Sequence, residues 1–328
     1  MQINKITELI DQRNAKLAVL LCHINADPDA VCAALAMAQL LQRLRPSLKV
    51  EVAAPQGPSR LSKFLLQSLP AKLTAQPSLE SSDVIVLLDT NTVQQLGEWG
   101  EHVKASKAAV VVIDHHASHP ETERLATLTV ADEKASSTCE LVYRLFKEAE
   151  VDLTQDDARA LFLGIAFDTR HFVLANSSTF KVIADLVDAG VNAGETLSLL
   201  SLPMEQSERI ARLKASKRVR LIRVNDWLIA LSDVSAFQAS AARALISLGA
   251  HVAVVAGQKG DKLQISMRAS QDFQQKTGVH LGRDIAKPLG EYLQGMGGGH
   301  SVSAGVNGVG DVESSLKRCV RLLKERLR

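Results

Sequence analysis

Aromatic residues are scarce in this chain: two Trp, two Tyr and eight Phe, together 4% of 328 residues. That argues against a groove for long single-stranded nucleic acid, in which successive bases stack on aromatic side chains. Long apolar runs are missing too. None approaches the roughly 20 residues that cross a bilayer as a helix. Cysteine is limited to Cys22, Cys32, Cys139 and Cys319, with no Cys-x-x-Cys pair, which excludes a zinc ribbon and a thioredoxin motif. The four read as buried, reduced thiols that pack as small hydrophobes. There is no internal repeat and no low-complexity segment. The opening residues, MQINKITELIDQRNAK, show a charged amphipathic pattern instead of a signal peptide, so a cytoplasmic protein is expected.

What is present fits a globular protein long enough for two domains, with 46% hydrophobic and 23% charged residues. The net charge of +2 hides a division. Residues 1–205 carry 18 basic and 26 acidic side chains, whereas residues 206–328 carry 20 and 10. One half favours cations and the other favours anions.

The first half alternates apolar runs with helical patterns. LAVLLCH (17–23), KVEVAA, DVIVLLD (83–89) and AAVVVID (108–114) read as strands, with ATLTV (126–130) as a further edge strand. A helix over 28–44 opens with Asp27 as N-cap and Pro28 in its first turn. Helices are also expected over 136–149, 154–169 and 177–189. Continuous apolar strands separated by helices imply an α/β fold, with a mainly parallel sheet covered on both faces. Residues 191–216, broken by Pro203, read as a linker or hinge. A smaller α/β domain follows over 217–328, with hairpin signals at Asn225-Asp226 and around Gly257–Gly260. The expected domains are therefore 1–190 and 217–328.

Three strands of the first half end in chemistry. His23, Asp27 and Asp29 follow the first, Asp89 ends the 83–89 strand, and Asp114, His115 and His116 end the 108–114 strand. Ligand sites of open parallel sheets form at the carboxyl ends of the strands. Like charges gathered at one edge are costly without a cation. Asp168 adds a carboxylate to an otherwise apolar helix, LFLGIAFDTRHF. The set His23, Asp27, Asp29, Asp89, His115 and Asp168 offers oxygen and imidazole donors without a thiolate, which suits manganese better than zinc. Six side chains are too many for one ion with open positions. They fit two metals about 3.5–4 Å apart that share a carboxylate.

At this point the sequence resembles the DHH phosphoesterases, a family named for its Asp-His-His triplet. The resemblance is carried by HINADPDAV (23–31), DVIVLLD ending at Asp89, IDHH (113–116) and GIAFDT (164–169). GMGGGHSVSAGV (295–306) and ISMRAS (265–270) match a C-terminal DHH-associated domain. The layout is similar to the nanoRNase and RecJ-like branch, not to inorganic pyrophosphatases. The resemblance implies that His23 and Asp27 bind one Mn2+, that Asp29, His115 and Asp168 bind the other, and that Asp89 bridges them, with Mg2+ as an alternative ion. Asp114 is implied to orient a ligand imidazole, and His116 to face the substrate phosphate; these two are the catalytic candidates.

Gly297, Gly298 and Gly299 could turn their backbone N–H groups toward an anion. The resemblance adds His300 and Arg268 as phosphate contacts. Two departures from the family pattern stand out. Pro28 precedes Asp29 where many relatives have Gly, and Arg170 follows Asp-Thr where many have Gly. Arg170 is a further substrate-binding candidate. His102, His251 and His280 are expected to be structural, and His119 has no assigned partner. Ser137 and Thr138 are expected to cap a helix beneath the site.

These readings lead to a manganese-dependent two-metal phosphodiesterase that cuts short RNA or DNA oligonucleotides of about two to five residues into mononucleotides, with the hinge closing the basic domain over the substrate. The alternatives are a phosphatase for 3'-phosphoadenosine-5'-phosphate and a cyclic or linear dinucleotide phosphodiesterase. A different class is a non-catalytic nucleic-acid or replication-complex subunit, whose signature would be lost metal ligands; none of the six is lost. No membrane partner is expected, and a homodimer is allowed.

Overall fold

The computed structural model describes residues 1–70 and 72–327. The chain divides into two compact units between Leu202 and Pro203. Of the three residues that boundary moves across the division used for charge, Glu205 is the one charged residue, so the acidic–basic asymmetry holds by unit.

The first unit is built on five parallel strands: β1 (Leu17–Leu21), β2 (Lys49–Ala53), β3 (Val84–Leu88), β4 (Ala109–Asp114) and β5 (Leu128–Ala131). They lie in the order β2-β1-β3-β4-β5, with β5 at the edge as its sequence suggested. β1, β3 and β4 are buried along their whole length, which explains why they read as continuous apolar runs. Alternate side chains divide between two cores. Leu20, Val86 and Val111 pack with the large cluster that includes the helices α1 (Gln2–Gln12), α2 (Pro28–Leu44), α3 (Thr138–Glu148), α4 (Gln155–Asp168) and α5 (Ser177–Asp188). Leu21, Ile85 and Val112 join the second cluster. α2 begins as expected, with the Asp27 carboxylate accepting from Ala30 N–H and Pro28 in the first turn.

The second unit holds a six-stranded mixed sheet in the order β10-β11-β9-β8-β7-β6. Its strands are β6 (Arg220–Val224), β7 (Trp227–Asp233), β8 (Val252–Lys259), β9 (Lys262–Ala269), β10 (Met296–Gly299) and β11 (Ser303–Val309). Hairpins close at Asn225-Asp226, with Asn225 at φ +53°, and at Gly260-Asp261, with Gly260 at φ +59°.

Two segments differ from their sequence reading. The stretch 191–216 is not one irregular connector. Asn192 caps α6 (Ala193–Ser198), which belongs to the first unit, and α7 (Gln206–Lys217) belongs to the second. Both helices are too short and polar to stand out as a periodic pattern. The glycine run is an edge strand, β10, and not a loop of converging N–H groups. Only Gly299 has a positive φ, +136°. The glycines serve close backbone packing: a Cβ on Gly297 would collide with the Ala286 carbonyl, and one on Gly282 with Gly299. All four cysteines are buried and unpaired. Among the described residues no helix is long and apolar enough to cross a membrane.

Candidate metal centre

The carboxyl ends of β1, β3 and β4 and the last residue of α4 converge on one cluster. His23 follows β1, and its Nδ1 lies 2.8 Å from the Ile24 carbonyl. That fixes the ring so that Nε2 stands 3.8 Å from Asp27 Oδ1 and 3.7 Å from Asp89 Oδ2. His115 is held in the same manner, with Nδ1 3.3 Å from the Ala135 carbonyl. Its Nε2 faces Asp168 Oδ2 at 3.0 Å and Asp89 Oδ1 at 3.7 Å. The two oxygens of Asp89 thus look toward two different imidazoles. Asp89 itself has φ +53°, a left-handed conformation that a non-glycine residue adopts at a cost. Its N–H donates to the Ile113 carbonyl at 3.0 Å, which ties the turn after β3 to β4.

Asp29 is fully buried in the first turn of α2. It accepts from the N–H groups of Thr138 at 2.7 Å and Cys139 at 3.0 Å, at the amino end of α3. The same Thr138 donates its hydroxyl to Asp89 Oδ1 at 2.9 Å. Ser137 caps α3 through Glu140 N–H, as expected, but Thr138 does more than cap: it positions two of the candidate ligands. In the sequence a hydroxyl at a helix start reads only as a cap, so this role gave no separate signal. Gly164 on α4 is equally involved, since a Cβ there would collide with Cys139 Sγ and lie 2.9 Å from Asp29 Oδ1.

Among the described residues three sets of donors lie close enough to share an ion: His23, Asp27 and Asp89; Asp29, His115 and Asp168; and Asp89, His115 and His116. All six side chains expected as ligands are therefore brought together. Asp114 supports a different imidazole from the one expected. Its Oδ1 accepts from His116 N–H and faces His116 Nδ1, both at 2.8 Å, so it orients His116 and not His115. The His116 ring is half exposed and lies 4.2 Å from the His115 ring.

The electrostatics favour a cation. Burial, then Asp89 and Asp168, push Asp29 well above the usual carboxylate range. Burial also raises Asp89, against a hydrogen bond from His116. The imidazoles are raised as well, by the carboxylates around them. Burial opposes the charge on His23, but Asp27, the Ile24 carbonyl and Asp89 raise it to about 9. Burial likewise opposes the charge on His115, while Asp168, Asp29 and Asp89 raise it to about 9. The Asp114 contact, then Asp89, raise His116 to about 11. Asp27 goes the opposite way: burial would raise it, but His23 and Ala30 N–H hold it down. Buried His115 Nε2 has no hydrogen-bond partner among the described residues, despite its contact with Asp168. A lone imidazole nitrogen among carboxylate oxygens, with no thiolate, is the donor set of a divalent transition ion.

The remaining candidates come from the turn after α4 and from the second unit. Arg170 is exposed beyond the end of α4, in a turn where Arg170, His171 and Phe172 all have positive φ, +51°, +57° and +70°. The turn is held by Phe172 packing edge-on against Phe162 and by His171 N–H donating to Ala166 O. Arg268 and the stretch Gly297–His300 belong to the second unit. Arg268 is half-buried on β9, and Nη1 donates to the Met267 carbonyl at 2.8 Å. His300 is exposed after β10, with its N–H donating to Ser303 O. The outlying histidines are structural: His119 caps the helix Pro120–Leu125, His251 accepts from Leu228 N–H and His280 from Arg283 N–H.

Comparison with known proteins follows the same motifs. The model of the DHH family, N-terminal domain, matches residues 18–165. An uncharacterized protein of Methanocaldococcus jannaschii is 32% identical over 316 residues, covering 96% of this chain and 94% of that protein. A bifunctional oligoribonuclease and PAP phosphatase of Bacillus subtilis is 24% identical over 183 residues, 54% of this chain and 55% of that one. A Streptococcus equi protein assigned as a manganese-dependent inorganic pyrophosphatase is 30% identical over 183 residues, 53% and 56% of the two chains. The chain thus spans about half the length of these last two relatives. The similarity reaches pyrophosphatases as well as nucleases, a wider range than the motif layout suggested.

Proposed function

The chain belongs to the DHH family, and from that premise we propose that it is a divalent-metal phosphodiesterase that hydrolyses short oligonucleotides to mononucleotides. The observation that carries this reading is Asp89, set between His23 and His115 with one oxygen toward each. A carboxylate so placed could be shared by two ions, were both bound. In this reading His23, Asp27 and Asp89 hold one Mn2+, and Asp29, Asp89, His115 and Asp168 hold the other. Two such ions supply the Lewis acidity for water attack on phosphorus and for the charge that builds on the phosphoryl oxygens.

The chain's own residues do the positioning. Thr138 and Cys139 hold Asp29, and Thr138 also holds Asp89, so the ligands are fixed before substrate arrives. Asp114 takes the Nδ1 side of His116, which leaves Nε2 to meet a phosphate oxygen and to exchange a proton with it. Arg268 and His300 are the proposed anion contacts of the basic unit, and Arg170 that of the acidic one. The weak aromatic content favours a confined substrate of roughly two to five nucleotides over a long strand.

A second reading, pyrophosphate hydrolysis, is favoured by the Streptococcus equi relative. One experiment separates the two. Chelator-stripped protein is reloaded with Mn2+ and given labelled RNA and DNA from two to about two dozen nucleotides, linear and cyclic di-AMP, 3'-phosphoadenosine-5'-phosphate and pyrophosphate. Release of mononucleotides from the shortest oligonucleotides is expected. Turnover of pyrophosphate alone would overturn the proposal, and preference for one of the other small nucleotides would replace it with that alternative.

A further inference from the structure

One buried carboxylate of the first unit touches neither a candidate ligand nor a candidate phosphate contact. Glu140, in the first turn of α3, is fully buried. Its Oε2 accepts from the Ser136 hydroxyl at 2.8 Å and from Ser136 N–H at 3.2 Å. Its Oε1 accepts from Arg144 at 2.6 Å. Longer contacts, both 3.3 Å, come from the hydroxyls of Ser178 and Thr179 on α5. Burial would raise its pKa, but the Ser136 hydroxyl and Arg144 hold it below the ordinary value, so the group is an anion.

A plain helix cap does not account for that placement. Glu140 is the third residue of α3 after the cap Ser137, where a capping-box carboxylate would turn back to the cap's own N–H. α4 is built that way, with Asp157 accepting from Thr154 N–H at 2.9 Å. Glu140 instead reaches one residue farther, to Ser136. That N–H belongs to the same peptide unit as the Ala135 carbonyl, the group 3.3 Å from His115 Nδ1. The peptide is trans, so its N–H and C=O point to opposite sides. Glu140 and His115 therefore stand at the two ends of one rigid, planar group.

The loop around that peptide is held from its far end as well. Arg144, paired with Glu140, donates its other terminal nitrogen to Asp132 Oδ2 at 2.6 Å. Asp132 accepts Lys134 N–H on its side chain and Ala135 N–H on its carbonyl, both at 3.0 Å. Ala135 is itself buried. The carbonyl that meets His115 thus has little freedom to turn away. Hydrogen bonds in series polarise one another, so a carboxylate at the N–H end makes the carbonyl end a stronger acceptor. A carbonyl that takes Nδ1–H fixes the imidazole in the tautomer whose Nε2 lone pair is free. Nε2 is the buried nitrogen left without a hydrogen bond among the described residues, beside Asp168 and Asp89.

We propose that Glu140 is a positioning residue of the metal centre, acting through the Ala135–Ser136 peptide on His115 as a carboxylate–peptide–imidazole relay. Glu140 sets the plane of the peptide, the peptide carbonyl sets the tautomer and tilt of the ring, and the ring presents Nε2 to the ion that Asp29 and Asp168 share with it. The relay rests on the metal reading above and deepens it: it names what makes this imidazole a ligand and not a proton carrier.

The test needs no substrate. The full chain, stripped with a chelator, is titrated with Mn2+ by calorimetry as parent, Glu140→Gln, Glu140→Asp and Thr179→Val, and each is melted without metal. The His115 Nδ1–H proton is followed by NMR in 15N-histidine-labelled chain loaded with Zn2+, a diamagnetic stand-in. Glu140→Gln removes the charge at constant shape. Glu140→Asp keeps the charge and shortens its reach, so the contact is tested even where an amide buried beside Arg144 prevents folding. Both are expected to weaken Mn2+ binding on the order of tenfold, within the roughly 10- to 100-fold range for a ligand that loses its support, and to move the His115 resonance upfield. Thr179→Val removes a contact from α5 and is expected to lower the melting temperature while Mn2+ affinity stays within about twofold. In a variant that folds, an unmoved His115 resonance or an affinity within about twofold of the parent overturns the relay and leaves Glu140 a helix anchor. Absence of a slowly exchanging Nδ1–H on His115 in the parent overturns it without any variant. A parent that binds no Mn2+ removes the metal reading and the relay together, whereas failure of the oligonucleotide reading leaves the relay standing.

Discussion

Replacing Thr138 by Val tests whether the amino end of α3 belongs to the metal centre or only to the helix. The two side chains have nearly the same shape, and Thr138 is fully buried. The substitution keeps the N–H that Asp29 accepts and removes only the hydroxyl donated to Asp89 Oδ1 at 2.9 Å. A hydrogen bond to a charged acceptor contributes about 1.5–3 kcal/mol. If that energy holds Asp89 in the orientation that both ions need, Mn2+ affinity falls about 10- to 150-fold, within reach of the roughly 10- to 100-fold seen when a ligand loses its support. Calorimetric titration of chelator-stripped protein reads the affinity directly. Turnover is expected to drop at limiting Mn2+ and to recover largely at saturation. Thr138→Ser keeps the hydroxyl and is expected to restore the affinity. Ser137→Ala is the contrasting control: it removes the cap to Glu140 N–H and costs about 1 kcal/mol of stability without changing Mn2+ affinity. In an Asp89→Ala background the Thr138→Val effect vanishes, because the partner is gone. An affinity for Mn2+ within about twofold of the parent chain would refute the assignment of Thr138 as a positioning residue.

Gly164→Ala is expected to destabilise by about 1–3 kcal/mol and to weaken metal binding as well, since the new methyl meets Cys139 Sγ and Asp29 Oδ1 together; Gly164→Ala with Cys139→Ala recovers the melting temperature more than the metal affinity. Arg170→Gly relieves a left-handed strain of about 1–2 kcal/mol against an entropy cost of about 0.5–1 kcal/mol, so the melting temperature holds or rises slightly, and a clear fall would contradict the strain reading. Manganese is expected to restore stripped protein best, magnesium less and calcium not at all, because imidazole donors favour the transition ion; equal rates with magnesium and manganese would remove that argument.

The candidate metal centre was legible because strand ends carry it. A carboxylate or imidazole at the end of a buried apolar run has no packing reason to be there, and His23, Asp89 and the Asp114–His116 triplet all stand out on that ground. Asp168 was legible as a charge on an apolar helix. Thr138 was not, since a hydroxyl beside a cap looks like any other helix start, and its bond to Asp89 spans 49 positions. The partner of Asp114 was misjudged for a similar reason: sequence order cannot say which of two adjacent imidazoles turns back onto the preceding carboxylate. The glycine run was misread because a backbone-to-backbone contact with the segment around Ala286 leaves the same letters as a flexible loop. In the second unit the hairpins were legible from Asn-Asp and Gly-Asp turns, while α7, like α6 at the end of the first unit, was too polar to register.

The spread of the ligands along the chain has a consequence for the life of the protein in a cell. His23 and Asp168 stand near the two ends of the first unit, and no part-folded chain that lacks β1 or α4 can offer the whole set. A cation at a hundred times its dissociation constant stabilises the folded state by about 2.7 kcal/mol, and that gain is withdrawn as the free ion is depleted. If these residues bind the ions proposed above, protease resistance of the chain is tied to trace-metal supply, so that starvation for the ion would lower the amount of protein as well as its rate.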